Sequence, residues 1–64
     1  MMYLFVWDDN VLVDWSAGIM FAYASDLESA RQLLRDLNVL PEEDIMKTPK
    51  VFDLPHADFC WGSA

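Results

Sequence analysis

The segment Tyr3–Trp7 (YLFVW) constrains the fold most, because it is apolar on both faces of the strand that it would form. The aromatic residues at positions 3, 5 and 7 share one face, and the aliphatic residues at positions 4 and 6 share the other. These side chains, followed by the turn signal Asp8-Asp9-Asn10, predict a β-strand. We expect this strand to lie at the centre of a sheet or to be covered on both sides.

A second strand is predicted over Ile19–Ala24, and its two faces differ in size. The odd-numbered positions carry bulky side chains, whereas the even-numbered face includes Ala22 and Ala24. The two alanines leave room for a neighbouring element to approach closely. Because the next segment has the pattern of a helix, we expect that helix to pack on the alanine face.

The main helix is predicted over Asp26–Leu37. Ser25 is the expected N-cap, and Glu28 three residues later completes a capping box. Apolar residues recur every three or four positions, and Asn38 suits a left-handed C-cap. The residues expected to bury apolar surface on this helix and just after it are Leu27, Ala30, Leu33, Leu34, Leu37 and Val39.

The remaining elements are shorter. Leu40–Asp44 is typical of a second helix start, with Pro41 at the first helical position and Ile45 and Met46 against the core. Further strands are predicted over Lys50–Leu54, Ala57–Trp61 and, as a short strand or hairpin arm, Val11–Trp15. This order predicts one α+β domain over residues 1–64, with a small, mostly antiparallel sheet of three to five strands and one main helix packed on one face.

The composition excludes several function classes. The 64 residues carry eleven Asp and Glu against four Lys and Arg, a net charge of −7, while 55% of them are apolar and nine are aromatic. The aromatic content argues against a disordered acidic tail, and the negative charge disfavours direct binding to nucleic acid. A chain of this size also has too few residues to enclose a deep pocket. We therefore expect no enzyme activity.

The sequence also bears on location. The first residues have no basic n-region, so we do not expect them to form a signal peptide. No apolar run approaches the roughly 20 residues that cross a bilayer. The single cysteine, Cys60, excludes an internal disulfide, which small secreted domains usually have. We expect a reducing, intracellular location and no membrane partner.

Residues for covalent or metal chemistry are sparse. Cys60 and His56 are the only thiol and imidazole, and in an extended strand their offset spans about 13 Å. Cys60 is therefore expected to pack in the core. A structural zinc site needs about four Cys or His ligands, and Gly18 and Gly62 cannot form a phosphate-binding loop. We expect no catalytic residue, no cofactor and no built metal site.

The acidic turns are the candidate binding residues. Glu28 is placed to pair with Arg31 on the helix, which leaves the turn carboxylates largely without internal partners. Trp15, beside Asp14, would supply an apolar anchor. The predicted partner-binding carboxylates are Asp8, Asp9 and Asp14 after the first strand, and Glu42, Glu43 and Asp44 at the second helix.

These features together resemble small phage-encoded inhibitors of bacterial defence, of the anti-CRISPR and DNA-mimic type. The likeness rests on size, acidity, fold style and the lack of catalytic residues. The passage Ile19–Leu37, in which a strand is followed by Ala-Ser-Asp and a Leu-rich helix, is also similar to many small phage proteins. It implies a basic, nucleic-acid-binding host protein or complex as partner, such as a CRISPR effector, blocked at its nucleic-acid surface. It also implies the cytoplasm of a bacterial host cell.

A second interpretation remains open at this stage. The chain could be a structural or adaptor subunit, in which an exposed strand or tryptophan patch pairs with a second copy or a scaffold. A homodimer would fit either interpretation. Salt separates the two, because electrostatic docking weakens as ionic strength rises and an apolar interface does not.

Overall fold

A computed structural model describes residues 1–14, 16–59, 61 and 62, and these form a three-stranded antiparallel sheet with one main helix and one short helix. The sheet order is β2-β1-β3, so β1 is the central strand, as its two apolar faces predict. This arrangement confirms the predicted α+β fold. In chain order the elements are β1 (Tyr3–Trp7), β2 (Met20–Ala24), α1 (Leu27–Asp36), α2 (Glu42–Ile45) and β3 (Lys50–Asp53).

The core lies between one face of the sheet and α1. Phe5 of β1 pairs with Ala22 of β2, and Trp7 pairs with Met20. All four side chains are buried, together with Ala24. The small alanines admit Ala30 and Leu34 of α1 to the same cluster. The prediction that α1 packs on the alanine face is therefore confirmed, and each large side chain removed from water contributes about 1.5–3 kcal/mol.

Helix α1 begins one residue later than the capping-box prediction. Its N-cap is Asp26, whose backbone is extended and whose Oδ1 accepts a 2.7 Å hydrogen bond from the Ser29 N–H. Ser25 is not the cap, because Asp26 lies three residues before Ser29, the spacing that a cap requires. Glu28 consequently does not complete a capping box and pairs with Arg31 at 3.2 Å, as expected.

The end of α1 is partly as predicted. Asn38 has a φ of 60°, and its N–H donates to the Arg35 carbonyl at 2.9 Å. The predicted left-handed residue is therefore confirmed. The prediction that Leu33, Leu37 and Val39 bury apolar surface is wrong, since all three are exposed. Helix α1 packs on β2, which is an edge strand. Among the described residues no further strand lies beyond β2 to cover the part of α1 that extends past this edge.

Two predicted strands are absent from the described residues. Positions 11–14 form a bent loop because Asn10 and Leu12 have φ values of 57° and 49°, which are incompatible with a strand. Positions 57–59 and 61 have no strand pairing. Phe59 and Trp61 are exposed, and their rings meet edge to face with centroids 6.2 Å apart. The strand β3 lies within the predicted Lys50–Leu54.

Helix α2 is a single turn anchored to the core. Pro41 is its N-cap, with φ −66° and ψ 135°, rather than its first helical residue. Ile45 is buried as predicted, whereas Met46 is exposed. The Trp7 indole N–H donates to the Lys47 carbonyl at 2.8 Å, which fixes the end of α2 against the central strand. In the part of the chain that the structure describes, neither helix has the length and apolarity to cross a bilayer.

Candidate functional site

The fold brings the two predicted acidic clusters to the same side of the molecule. The backbone N–H of Leu12 donates to the Asp44 carboxylate at 3.2 Å. Lys47, just after α2, donates through Nζ to the carbonyl of Asn10. The loop after β1 and the short helix α2 are thereby joined. Carboxylates from positions 8–14 and 42–44 consequently belong to neighbouring segments.

Asp44 has a structural role in this junction. Its side chain is almost buried, and it accepts from the Lys47 ammonium at 3.0 Å as well as from Leu12. The hydrogen bond from Lys47, and then that from the Leu12 backbone, hold the pKa of Asp44 below its usual range. A carboxylate that is buried and satisfied in this way is not open to a partner.

Two more of the six turn acids also have internal partners. Glu42 accepts three hydrogen bonds from Arg35, the shortest being 2.7 Å, and this pairing lowers the pKa of Glu42. Asp8 lies 3.0 Å from the Lys50 ammonium. The expectation that the turn acids are largely unpaired is therefore wrong for Asp8, Glu42 and Asp44.

The other three acids, Asp9, Asp14 and Glu43, are exposed and have no ion pair among the described residues; we call them the open carboxylates. All four basic side chains are in ion pairs: Arg31 with Glu28, Arg35 with Glu42, Lys47 with Asp44, and Lys50 with Asp8. Within the described part of the chain, seven of the eleven acidic side chains thus have no ion pair with Lys or Arg: Asp9, Asp14, Asp26, Asp36, Glu43, Asp53 and Asp58.

An apolar groove runs along β2 on the side away from β1. Its volume is about 370 Å³, and the lining comes from four parts of the chain: the loop after β1, the start of β2, the end of α1 and the loop before α2. Sequence reasoning missed this groove. The wide leucine stripe of α1 could have indicated it, because an edge strand is too narrow to cover every apolar side chain of such a stripe. The lining residues are Leu12, Ile19, Met20, Phe21, Leu34, Leu37 and Leu40.

The sheet face opposite the core is also apolar; we call it the open sheet face. Both helices contribute their buried residues to the core side, so neither covers this second face. Leu4 pairs with Tyr23 on one side and with Phe52 on the other. Phe52 stacks on the His56 ring with centroids 4.4 Å apart. Phe21 and Tyr23 are exposed on this face, and Lys50, opposite Val6, is its one charged residue among the strand pairs. The residues on this face are Leu4, Val6, Phe21, Tyr23, Lys50 and Phe52.

The described residues contain no group of three His, Cys, Asp or Glu side chains arranged to hold a metal ion. Of the two residues considered for thiol chemistry, His56 stacks on Phe52 and lies 3.8 Å from Asp58. Cys60 lies outside the described residues, as does Trp15, the predicted apolar anchor.

Comparisons with known proteins give no relative to guide the assignment. No protein-family model matches the chain, and no curated protein or solved structure is significantly similar to it.

Proposed function

We propose that the protein is a non-enzymatic protein-binding inhibitor that occupies the basic, nucleic-acid-binding surface of a host protein or complex. The observation that carries this proposal is the pairing of every Lys and Arg side chain with a carboxylate of the same chain. The charged side chains of the described residues that remain without an ion pair, and can therefore contact a partner, are carboxylates. A phage protein that blocks a bacterial defence effector, such as a CRISPR effector, fits this description.

The physical basis is competition for the same cationic groove. Duplex DNA presents one negative charge per about 1.7 Å of its axis, and a compact set of carboxylates can compete with it for the same Lys and Arg side chains. Unpaired like charges on a small domain repel one another, and a basic partner relieves that repulsion on binding. The open carboxylates Asp9, Asp14 and Glu43 lie on segments that the Leu12–Asp44 contact holds together.

The test is retention of proteins from a bacterial lysate on the immobilised chain, with duplex DNA added as competitor. We expect retained proteins that bind nucleic acid and are released by DNA or by raised salt. The variant Asp14→Asn/Glu43→Gln should retain less of them. The matched control Asp53→Asn/Asp58→Asn changes the net charge equally but alters carboxylates outside this junction. Retention that is insensitive to DNA, to salt and to both variants would contradict the proposal.

A second candidate function is favoured by the open sheet face. Phe21 and Tyr23 expose large aromatic rings on it, and exposed apolar patches often mark interaction sites. A structural or adaptor subunit would use this face to pair with a second copy or a scaffold. Such pairing would persist at high salt, whereas docking on a basic surface would not.

A further inference from the structure

The two edges of the sheet differ in how they are protected. The edge strand β3 has Lys50 and Asp53 at its ends and prolines at positions 49 and 55 on either side. Charges and prolines of this kind discourage the addition of another strand. The edge strand β2 (MFAYA) has neither, and in the described part of the chain β1 is its only strand neighbour. The β2 edge is therefore open to strand addition.

The apolar groove lies at this same edge. Ile19, just before β2, and Phe21, within it, line the groove together with Leu37, the C-cap of α1. Leu12, which also lines the groove, has a φ of 49°, which is uncommon for a bulky residue. Its hydrogen bond to Asp44 holds it there. Strained residues of this kind cluster at binding sites, where the surrounding structure fixes them.

The charges around the groove indicate the occupant. Asp14 follows the lining residue Leu12 by two positions, and Glu43 follows Leu40 by three; both are exposed and have no ion pair among the described residues. No Lys or Arg lines the groove. A second copy of this chain would bring the same net charge of −7 to the edge and would be repelled.

We infer that the β2 edge binds an extended segment of the partner that carries Lys or Arg residues and places an apolar side chain in the groove. Backbone hydrogen bonds to β2 would hold the segment, and the groove would select the apolar side chain. This inference rests on the proposed function, from which it takes the positive charge of the partner. It adds where the partner contacts the chain, at the β2 edge, and how, by strand addition.

The experiment uses a defined probe, an eight-residue peptide of alternating lysine and valine with leucine at one central valine position. Its titration is followed through the amide resonances of the protein. We expect shifts in Met20–Ala24. Leu37→Lys, at an exposed position of the groove, should weaken binding at least tenfold. The control Val51→Lys, exposed on β3, makes the same charge change and should alter affinity less than about twofold.

A second peptide of equal charge, in which two valines are replaced by proline, tests strand addition itself. It should bind at least tenfold more weakly, because proline cannot donate to the sheet. Equal binding of the two peptides, shifts confined to the acidic segments, or the absence of binding would each overturn the inference. DNA-sensitive retention from a lysate would still support the proposed function in those cases. Concentration-dependent shifts of β2 without peptide that persist in Tyr23→Lys would show that a second copy covers this edge, which also overturns the inference.

Discussion

The backbone N–H of Leu12 donates a 3.2 Å hydrogen bond to Asp44, and this contact joins two segments that are 32 residues apart in the sequence. Asp44 also binds Lys47, so one carboxylate holds both the strained loop and the end of α2. Asp44, which the sequence predicted to contact a partner, thus supports Leu12, and Leu12 lines the apolar groove. The open carboxylates nearby depend on this contact for their placement.

The first prediction concerns acid stability. The pKa of Asp44 is lower in the folded chain than its ordinary value of 3.8, because of the bonds from Lys47 and Leu12. The unfolded chain therefore binds the proton more tightly, so the stability contributed by Asp44 is complete above that value and is lost as the pH falls through the folded pKa. We expect Asp44→Asn to melt several degrees below the wild type at about pH 7, and the difference to shrink below about pH 4.

The matched control for this measurement is Asp9→Asn, which removes a carboxylate without an ion pair among the described residues. It should melt close to the wild type near neutral pH. If Asp44→Asn instead melts with the wild type at every pH, the carboxylate does not hold the loop.

The second prediction concerns the two glycines. A Cβ at Gly18 would lie 2.9 Å from the Leu12 Cβ and 3.3 Å from the Leu12 carbonyl oxygen, whereas one at Gly62 would meet nothing within 4 Å. We expect Gly18→Ala to lower the free energy of unfolding by about 1–3 kcal/mol, because the loop must shift to admit the methyl group. Gly62→Ala should stay within about 0.5 kcal/mol of wild type. Urea denaturation of both variants checks this, and equal midpoints would contradict the close approach of Leu12.

The third prediction concerns the start of α1. Asp26 accepts the hydrogen bond from Ser29, and that bond lowers the pKa of Asp26. Asp26→Ala should therefore reduce the melting temperature by several degrees through loss of the cap. Ser25→Ala should stay within about 0.5 kcal/mol of wild type, because Ser25 is not the cap. Thermal melts followed by circular dichroism separate the two variants, and a larger effect of Ser25→Ala would restore the capping-box prediction.

The fold was predictable where the pattern of side chains within one short segment determines the local structure. The alternation in Tyr3–Trp7 indicated the central strand, and Ala22 and Ala24 indicated where the helix packs. The cap was misplaced by one residue because Ser25 and Asp26 are both good caps, and only the spacing to Ser29 distinguishes them.

The site was less predictable because long-range contacts determine it. Asp8 pairs with Lys50, which is 42 positions away in the sequence. The periodicity of a helix or a strand cannot predict a pair between such distant residues. The positive φ of Leu12 depends on Asp44, 32 residues away. The groove draws its lining from four parts of the chain, so it exists only once the fold has formed.

The last prediction concerns self-association through the open sheet face. Tyr23 is exposed on this face, opposite Leu4 in the central strand. At low ionic strength the net charge of −7 should keep the chain monomeric, because like charges repel over a Debye length of about 10 Å at 0.1 M salt. At about 1 M salt that length falls to about 3 Å, and we expect weak association that sedimentation velocity detects. Tyr23→Lys should abolish it, whereas Val39→Lys, an equal charge change at an exposed residue outside the sheet, should not. A stable dimer at low salt that Tyr23→Lys dissolves would instead favour the structural or adaptor function, because the apolar face would then outweigh the charge.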